Sequence, residues 1–288
     1  MKKIILFGAN GLLGKALVNN VDLSMNAEVI PITRNDINFL KVYKYKDLIK
    51  ILPKFDILIN TMGFTNTQVC ENQIELSNHL NGACLEEFSK LTNYYNAKLF
   101  HISTDYVFDG KTKKLLTEND KKCPICQYGR SKLFGENLIH KISNNFVIIR
   151  TSSLYGPYFN YPHFVEKIRR KINQNKKFKV IADQYMSPTY TIELSKFIGF
   201  KSQNLNKENE IYHFSDIGSC SWYEFASHYV KLSKKKINFS PCSINEYPST
   251  FKRPINTSLS TNKVNQIFKL KSWQENLKSY YYKYIINY

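Results

Sequence analysis

Two side chains that can move a proton stand four positions apart in Tyr128-Gly-Arg-Ser-Lys132. Residues with this spacing share one face of a helix, so the phenol and the ammonium would be neighbours. A free phenol titrates at about pH 10, which is too high for efficient proton transfer at neutral pH. Because a neighbouring ammonium stabilises the phenolate, it would lower the pKa of the phenol. The pair therefore predicts that Tyr128 donates a proton to a carbonyl oxygen, assisted by Lys132.

A hydroxyl that could polarise the same carbonyl occurs in Ser103-Thr104-Asp105-Tyr106, at the end of the predicted strand 98–103. Ligands in open α/β sheets bind beyond the carboxyl ends of the strands. A hydroxyl at that place can donate a hydrogen bond to the substrate oxygen. Thr104 is the preferred candidate and Ser103 the alternative. If neither hydroxyl takes part in catalysis, they would only cap the end of the strand.

A glycine-rich turn lies directly after the first predicted strand, residues 3–7, and opens the first predicted helix. One glycine allows the sharp turn, a second lets a pyrophosphate approach the main chain, and a third lets the helix pack on the strand. In this context the turn predicts a dinucleotide site, and Lys132 would also reach the nicotinamide ribose. The cofactor-binding candidates of the turn are Gly8, Asn10, Gly11, Leu12, Leu13 and Gly14.

The choice of cofactor is made at the end of the second predicted strand, residues 28–32. An NAD enzyme would place an acidic residue there for the ribose hydroxyl. This chain has Thr33-Arg34, and a guanidinium can pair with a 2′-phosphate, although Arg34 could also be a solvated surface residue. Asp36 and Ile37 are placed to touch the adenine. The sequence therefore favours NADPH, with NADH as the alternative.

The elements that must position these residues alternate between apolar strands and helices. Further strands are predicted at 56–60, 146–150 and 211–214, and helices at 12–21, 75–93, 129–142 and 222–232. Such strands indicate a parallel sheet covered on both faces, so the predicted fold is α/β, a doubly wound (Rossmann) sheet. Residues 1–150 would form the dinucleotide-binding domain. Residues 151–288 would form a smaller, mainly substrate-binding region, with some segments returning to the sheet.

The composition excludes several other classes of protein. The 288 residues carry a net charge of +18, but Lys and Arg are spread along the chain, which favours a solvated basic surface over a nucleic-acid site. No apolar run is long enough for a membrane span or a signal peptide, so a cytoplasmic protein without a membrane partner is expected. Cys123-Pro-Ile-Cys126 lacks a second ligand pair, and no metal site is predicted. His101, inside a predicted strand, is interpreted as a packed core residue.

Taken together, these motifs resemble the extended short-chain dehydrogenase/reductases, and within them the dTDP-4-dehydrorhamnose reductases. The resemblance spans nearly the whole chain. Its most specific parts are Ser103-Thr-Asp-Tyr-Val-Phe-Asp-Gly110 and the late Arg253-Pro-Ile-Asn256. It also includes Gly8 to Gly14, the segment 60–71, Tyr128 to Glu136, Ile149 to Gly156, Asp183 to Thr189 and Ser221 to Ala226.

The resemblance implies NAD(P)H-dependent reduction of a nucleotide-activated 4-keto-6-deoxy sugar, serving surface polysaccharide assembly such as dTDP-rhamnose biosynthesis. It implies catalysis by Thr104, Tyr128 and Lys132. The loop after the strand 56–60 would line the cofactor through Gly63, Phe64 and Thr65. The candidates for binding the nucleotide-sugar substrate are Thr104, Asp105, Ser153, His163 and Arg253. Arg253 would bind the pyrophosphate of the substrate, and the alternative is that it forms a structural ion pair.

The chain departs from the family at the sugar. Ser153 stands where the rhamnose enzymes have a Trp, His163-Phe164 replaces an Asn-Phe pair, and Met186 replaces a glycine. Losing the Trp removes a stacking surface, so the sugar could differ from 4-keto-rhamnose. Ala16 stands where the family places an acidic residue, which argues against a metal-bridged dimer and leaves a homodimer of another kind open.

Three alternatives stay open at this point. A related sugar-nucleotide epimerase or dehydratase would use the same superfamily fold, although a dehydratase should carry an acidic pair beside the catalytic hydroxyl and only Asp105 is present. A non-catalytic NADP-binding regulatory subunit, like the β subunit of methionine adenosyltransferase, would share similar motifs. The intact Thr104, Tyr128 and Lys132 argue against it. Nucleic-acid binding ranks third.

Overall fold

The computed structural model describes residues 1–158, 163–235, 237–249 and 251–286. The strands are β1 Lys2–Phe7, β2 Ala27–Ile32, β3 Ile57–Asn60, β4 Lys98–Thr104, β5 Phe146–Thr151, β6 Leu154–Tyr155, β7 Phe178–Ile181, β8 Tyr185–Met186, β9 Thr189–Tyr190, β10 Asn209–His213, β11 Cys220–Ser221 and β12 Phe239–Cys242. The helices are α1 Leu12–Val18, α2 Val21–Asn26, α3 Tyr45–Ile51, α4 Thr67–Asn72, α5 Ile74–Asn78, α6 Cys84–Tyr95, α7 Gln127–Ile142, α8 Phe164–Asn173, α9 Thr191–Ser202, α10 Trp222–Ser233, α11 Asn262–Asn265 and α12 Trp273–Tyr284.

Six strands form one parallel sheet in the order β2-β1-β3-β4-β5-β10. The strand order changes direction at β1, which has β2 on one side and β3 on the other. In doubly wound sheets the crevice at this switch point is where ligands bind. The predicted α/β fold is therefore confirmed, and the carboxyl ends of β1, β3, β4 and β5 all lie at the same edge.

Both faces of the sheet are covered, because successive side chains of β1 enter different cores. Ile4 and Leu6 pack with α1 and α9 on one face. Ile5 and Phe7 pack with α6 and α7 on the other. This explains why the strands read as continuous apolar runs rather than alternating ones. A third core joins α8, α10 and α12 beside the sheet, and its largest members are aromatic: Tyr155, Phe225, Trp273 and Tyr280.

The structure departs from the predicted elements in two places. The single helix predicted at 75–93 is divided into α5, one π-helical turn at His79–Ala83, and α6. The region after β5 holds five helices, α8 to α12, and three two-stranded sheets, where the sequence indicated chiefly the strand 211–214 and the helix 222–232. Of the helices that the structure describes, none has the length and apolar character needed to cross a membrane.

Candidate active site

The glycine turn closes tightly around its own backbone after β1. Gly8 has φ +80°, a backbone conformation that is unfavourable for residues with a Cβ atom. A Cβ atom on Gly8 would lie 2.9 Å from the Met62 nitrogen, and one on Gly14 only 2.2 Å from the Gly8 carbonyl oxygen. Larger residues at either position would force the main chain apart. The turn therefore has the glycine-dependent geometry that a dinucleotide site needs.

A cavity of about 260 Å³ opens on one side of this turn. Asn10, Gly11, Arg34 and Ile37 contribute to its wall. Asp36 does not, because its carboxylate accepts hydrogen bonds from the Thr33 nitrogen (2.8 Å) and hydroxyl (2.7 Å). These bonds lower the pKa of Asp36. Arg34 and Ile37 are thus placed for an adenosine moiety, and Asp36 instead closes the turn after β2.

A second cavity, of about 570 Å³, starts from the same turn and runs past the ends of β4 and β5. It brings together residues that are distant in the chain, and most of the sequence-predicted site lines it. These residues are Gly11, Leu12, Leu13, Gly63, Thr65, Thr104, Asp105, Tyr128, Lys132, Ser153 and His163. Hydroxyl, phenol and ammonium therefore share one cavity with the glycine turn.

Tyr128 lies in the first turn of α7, beside Thr104 at the end of β4. Tyr128 is half-buried, desolvation raises its pKa, and a hydrogen bond with Thr104 only partly opposes this effect. The prediction that Lys132 lowers the pKa of Tyr128 is therefore wrong for the protein without ligands. Tyr128 keeps its proton at neutral pH, which is the state that a proton donor needs.

The Lys132 ammonium group is turned toward β4 rather than toward Tyr128. Its Nζ atom donates to the Ile102 carbonyl oxygen at 2.5 Å and lies 3.2 Å from His101 Nε2. Burial lowers the pKa of Lys132 to about 7, although the charge of Glu136 acts in the opposite direction. Lys132 can therefore gain or lose its proton near neutral pH.

The choice between Ser103 and Thr104 follows from a buried network behind the cavity. The Ser103 hydroxyl donates to Glu136 Oε1 at 2.5 Å. Arg150 holds the same carboxylate, with its Nη2 2.7 Å from Glu136 Oε2. The Ser103 hydroxyl is held away from Tyr128 by this network, whereas the Thr104 side chain hydrogen-bonds Tyr128, so Thr104 is the strand-end hydroxyl better placed to act with it.

Asp105 is surrounded by hydroxyl groups and acts as their common acceptor. Its carboxylate accepts from Thr104 (3.0 Å), Ser152 (2.7 Å) and Thr257. Burial raises the pKa of Asp105, and these three bonds oppose the rise. The carboxylate therefore orders the wall around Thr104 and is already occupied.

The predicted cofactor loop is held by Asn81, a residue that sequence reasoning missed. Asn81 Oδ1 accepts from the Phe64 nitrogen (2.8 Å), and its Nδ2 donates to the Phe64 carbonyl oxygen (3.0 Å). Gly63 and Thr65 line the cavity, and the Phe64 main chain anchors the loop between them. Asn81 lies in the π-helical turn, and π turns often mark functional sites. The Asn81-Gly82 pair inside a helical pattern is the signal that could have indicated it.

Ser153, His163 and Trp222 also line this cavity. Ser153 has φ +47°, an uncommon conformation for a residue other than glycine. His163 is buried, and its Nδ1 caps α8 by accepting from the Glu166 nitrogen. Burial lowers the pKa of His163 to about 4, so the ring is neutral. Trp222, the first residue of α10, supplies an aromatic surface near the place where the Trp of the rhamnose enzymes is missing.

Arg253 lies outside the main cavity, in an adjoining groove of about 560 Å³. Its guanidinium stands over the rings of Tyr247 (5.3 Å) and Phe251 (5.1 Å). Gln184, in the wall of the main cavity, donates to the Pro254 carbonyl oxygen at 3.0 Å, so cavity and groove are neighbours. Arg253 therefore lies beside this wall, and Thr104, Tyr128 and Lys132 line the cavity on its other side.

Comparisons with known proteins give a consistent result. A family model described as the RmlD substrate binding domain matches residues 1–286. The spore coat polysaccharide biosynthesis protein SpsK of Bacillus subtilis is 31% identical, with 97% of each chain covered. A dTDP-4-dehydrorhamnose reductase of Aggregatibacter actinomycetemcomitans is 28% identical, over 97% of this chain and 98% of its own. The crystal structure of a dTDP-4-dehydrorhamnose reductase of Bacillus anthracis in complex with NADP has a TM-score of 0.90 and 29% identity, and covers 98% and 99% of the two chains.

Proposed function

The chain belongs to the RmlD substrate binding domain family, and we propose from this premise that it reduces the keto group of a nucleotide-linked 4-keto-6-deoxy sugar with NADPH. The observation that carries the proposal is the convergence of Thr104, Tyr128 and Lys132 on one cavity that begins at the glycine turn. The likeness to SpsK favours a role in surface polysaccharide synthesis.

The residues present suit a nicotinamide dinucleotide, since only glycine fits at Gly8 and Gly14 and Arg34 faces the cavity beside them. When bound, NADPH would supply the hydride. The Thr104 hydroxyl, which donates to Asp105 in this structure, would turn to donate its hydrogen bond to the keto oxygen and polarise it. Tyr128, which holds its proton at neutral pH, would transfer that proton to the oxygen as the alcohol forms.

The groove around Arg253 suits the nucleotide half of the substrate. A guanidinium can pair with a diphosphate through two parallel hydrogen bonds, and the aromatic rings of Tyr247 and Phe251 offer surface for a base. The sugar would then pass the Gln184 wall and place its keto group at Thr104.

Substrate turnover tests the proposal directly. NADPH oxidation would be followed with a panel of nucleotide 4-keto-6-deoxy sugars, with and without a 3,5-epimerase. We expect one NADPH consumed for each sugar reduced. An epimerase would convert the sugar without net NADPH consumption, and a regulatory subunit would bind NADPH without turnover. Either result would contradict the proposal.

A dehydratase is disfavoured because the carboxylate of Asp105 already accepts hydrogen bonds from three hydroxyl groups.

The role of Arg34 can be tested by cofactor binding alone. Arg34→Ala is expected to raise the Kd for NADPH about 10- to 100-fold, because hydrogen bonds to a charged phosphate contribute about 1.5–3 kcal/mol. The Kd for NADH should stay unchanged, since NADH has no 2′-phosphate. Isothermal titration measures both values, with Arg34→Lys as a charge-preserving control. An equal loss for the two cofactors would show that Arg34 does not read the phosphate.

Trp222 is expected to contribute to sugar binding. Trp222→Ala should raise KM for the nucleotide sugar about tenfold, because the cavity loses an aromatic surface. Trp222→Phe keeps a ring against Phe164, whose centroid lies 4.5 Å from that of Trp222, and should lose much less. NADPH binding serves as the folding control. An unchanged KM in Trp222→Ala would remove Trp222 from the sugar site.

A further inference from the structure

His101 links Lys132 to the interior of the sheet. It lies fully buried in β4, as the sequence predicts for a core residue, but both of its ring nitrogens meet polar partners. Nδ1 lies 3.1 Å from Asn60 Nδ2, and Nε2 lies 3.2 Å from Lys132 Nζ. A histidine that only filled space would need neither contact.

The orientation of the Asn60 amide decides which nitrogen of His101 carries the proton. Asn60 Oδ1 accepts a hydrogen bond from the Met62 nitrogen at 3.0 Å, so the amide cannot be flipped without losing that bond. The amide Nδ2 group therefore points at His101 and donates to Nδ1. An acceptor Nδ1 in a neutral ring means that the proton is on Nε2.

The Nε2–H group then faces Lys132 Nζ, and only a neutral amine has a lone pair that can accept it. One N–H of Lys132 is used on the Ile102 carbonyl oxygen. If Lys132 were an ammonium, His101 would have to move its proton to Nδ1, where it would oppose the N–H of Asn60. Protonated Lys132 and the Asn60–His101 hydrogen bond therefore exclude each other.

We propose that Asn60 and His101 are positioning residues that favour the neutral form of Lys132. Because this contact destabilises the ammonium form, protonated Lys132 gives its proton to Tyr128 more readily. The inference rests on the proposed reductase function. The proton of the Tyr128 hydroxyl goes to the substrate oxygen and leaves a phenolate. When Lys132 is protonated, its ammonium, one helical turn away on α7, would turn from β4 to the phenolate and give it a proton. The neutral amine that remains accepts the His101 Nε2–H, and a proton from solvent later restores the ammonium.

The other charged groups around Lys132 do not produce this preference. Glu136, one turn further along α7, favours the ammonium form. Its carboxylate is held by Arg150 on β5 and by the Ser103 hydroxyl on β4. Tyr128 is neutral before the reaction. The contact with His101 thus acts together with burial against the charge of Lys132.

Asn60→Asp is the sharpest test, because it changes one atom and reverses the tautomer. The new carboxylate can still accept from the Met62 nitrogen, and it would take the proton of His101 Nδ1. Nε2 would become an acceptor for the Lys132 ammonium, whose pKa would rise. Reductase activity requires the ammonium, so the alkaline limb of the kcat profile should move up by about one pH unit or more.

The double variant Asn60→Asp/His101→Gln distinguishes two ways in which the new carboxylate could raise the pKa of Lys132: through the tautomer of His101, here called the relay, or directly through its charge. The relay requires the imidazole, so most of the shift should disappear when His101 is replaced. A limb that stays in place in Asn60→Asp, or a shift that persists in full in the double variant, would overturn the proposal.

A spectroscopic arm does not depend on turnover. Nitrogen-15 NMR of histidine-labelled protein, with His101→Gln for assignment, should show the His101 proton on Nε2 in the unaltered chain and on Nδ1 in Asn60→Asp. A proton on Nδ1 in the unaltered chain would refute the inference even if the reductase assay succeeds. Absence of turnover with every sugar would instead refute the proposed function and leave the tautomer result to stand alone.

Discussion

Tyr128→Phe is expected to lower kcat about 10²- to 10⁴-fold, the usual contribution of a positioned general acid. The change removes the hydroxyl proposed to give its proton to the keto oxygen and leaves the ring and its packing beside Tyr106 in place. NADPH binding should therefore stay within about twofold of the original value. Steady-state NADPH oxidation and cofactor titration on the same preparations measure both quantities.

Tyr280→Phe is a matched control for this change. Tyr280 is fully buried in the aromatic core beside the sheet, whereas Tyr128 is half-buried at the cavity, and the Tyr280 hydroxyl has no hydrogen-bond partner among the described residues. Removing this hydroxyl should leave kcat unchanged and should not reduce stability. If the two variants lost activity equally, the loss in Tyr128→Phe would reflect packing and not proton transfer.

The strands and the glycine turn could be predicted because their signals are local. β1, β3 and β5 are apolar runs bounded by polar residues, and their predicted limits differ from the observed ones by a residue at most at each end. Gly8 and Gly14 are required by backbone geometry within a few positions of each other. Such features depend on the properties of neighbouring residues, which the sequence displays directly.

The environment of the site could not be predicted, because it is produced by contacts between distant segments. Spacing alone brought Tyr128 and Lys132 together and suggested a lowered phenol pKa. The structure reverses that direction, because burial dominates and Lys132 turns to His101 and Ile102 on β4. Trp222 was similarly hidden, since nothing in its own segment indicates that α10 begins at the cavity. Local patterns predicted the candidate reacting groups, and tertiary packing determines how those groups titrate.

The same packing creates a buried ion pair behind the catalytic strand ends. Arg150 and Glu136 are both inaccessible to solvent, and the guanidinium makes two close contacts with the carboxylate through Nε (3.0 Å) and Nη2 (2.7 Å). Arg150 also stacks over Phe108 at 5.4 Å and lies 3.3 Å from His213 Nε2. Burial keeps His213 uncharged and lowers its pKa to about 3, so it cannot replace the cation.

Arg150→Met is therefore expected to destabilise the protein by about 3–5 kcal/mol, because it leaves the Glu136 carboxylate buried without a counter-charge. Arg150→Met/Glu136→Leu should recover a large part of that loss, since apolar side chains can fill the space of a buried pair. Urea unfolding at neutral pH gives the free energies, and Lys179→Met, which removes an exposed pair with Glu246, should leave the midpoint unchanged. A double variant as unstable as Arg150→Met would show that the loss comes from the contacts of Arg150 with Phe108 and His213. Recovery in the double variant would identify the buried, unpaired carboxylate of Glu136 as the cause of the lost stability.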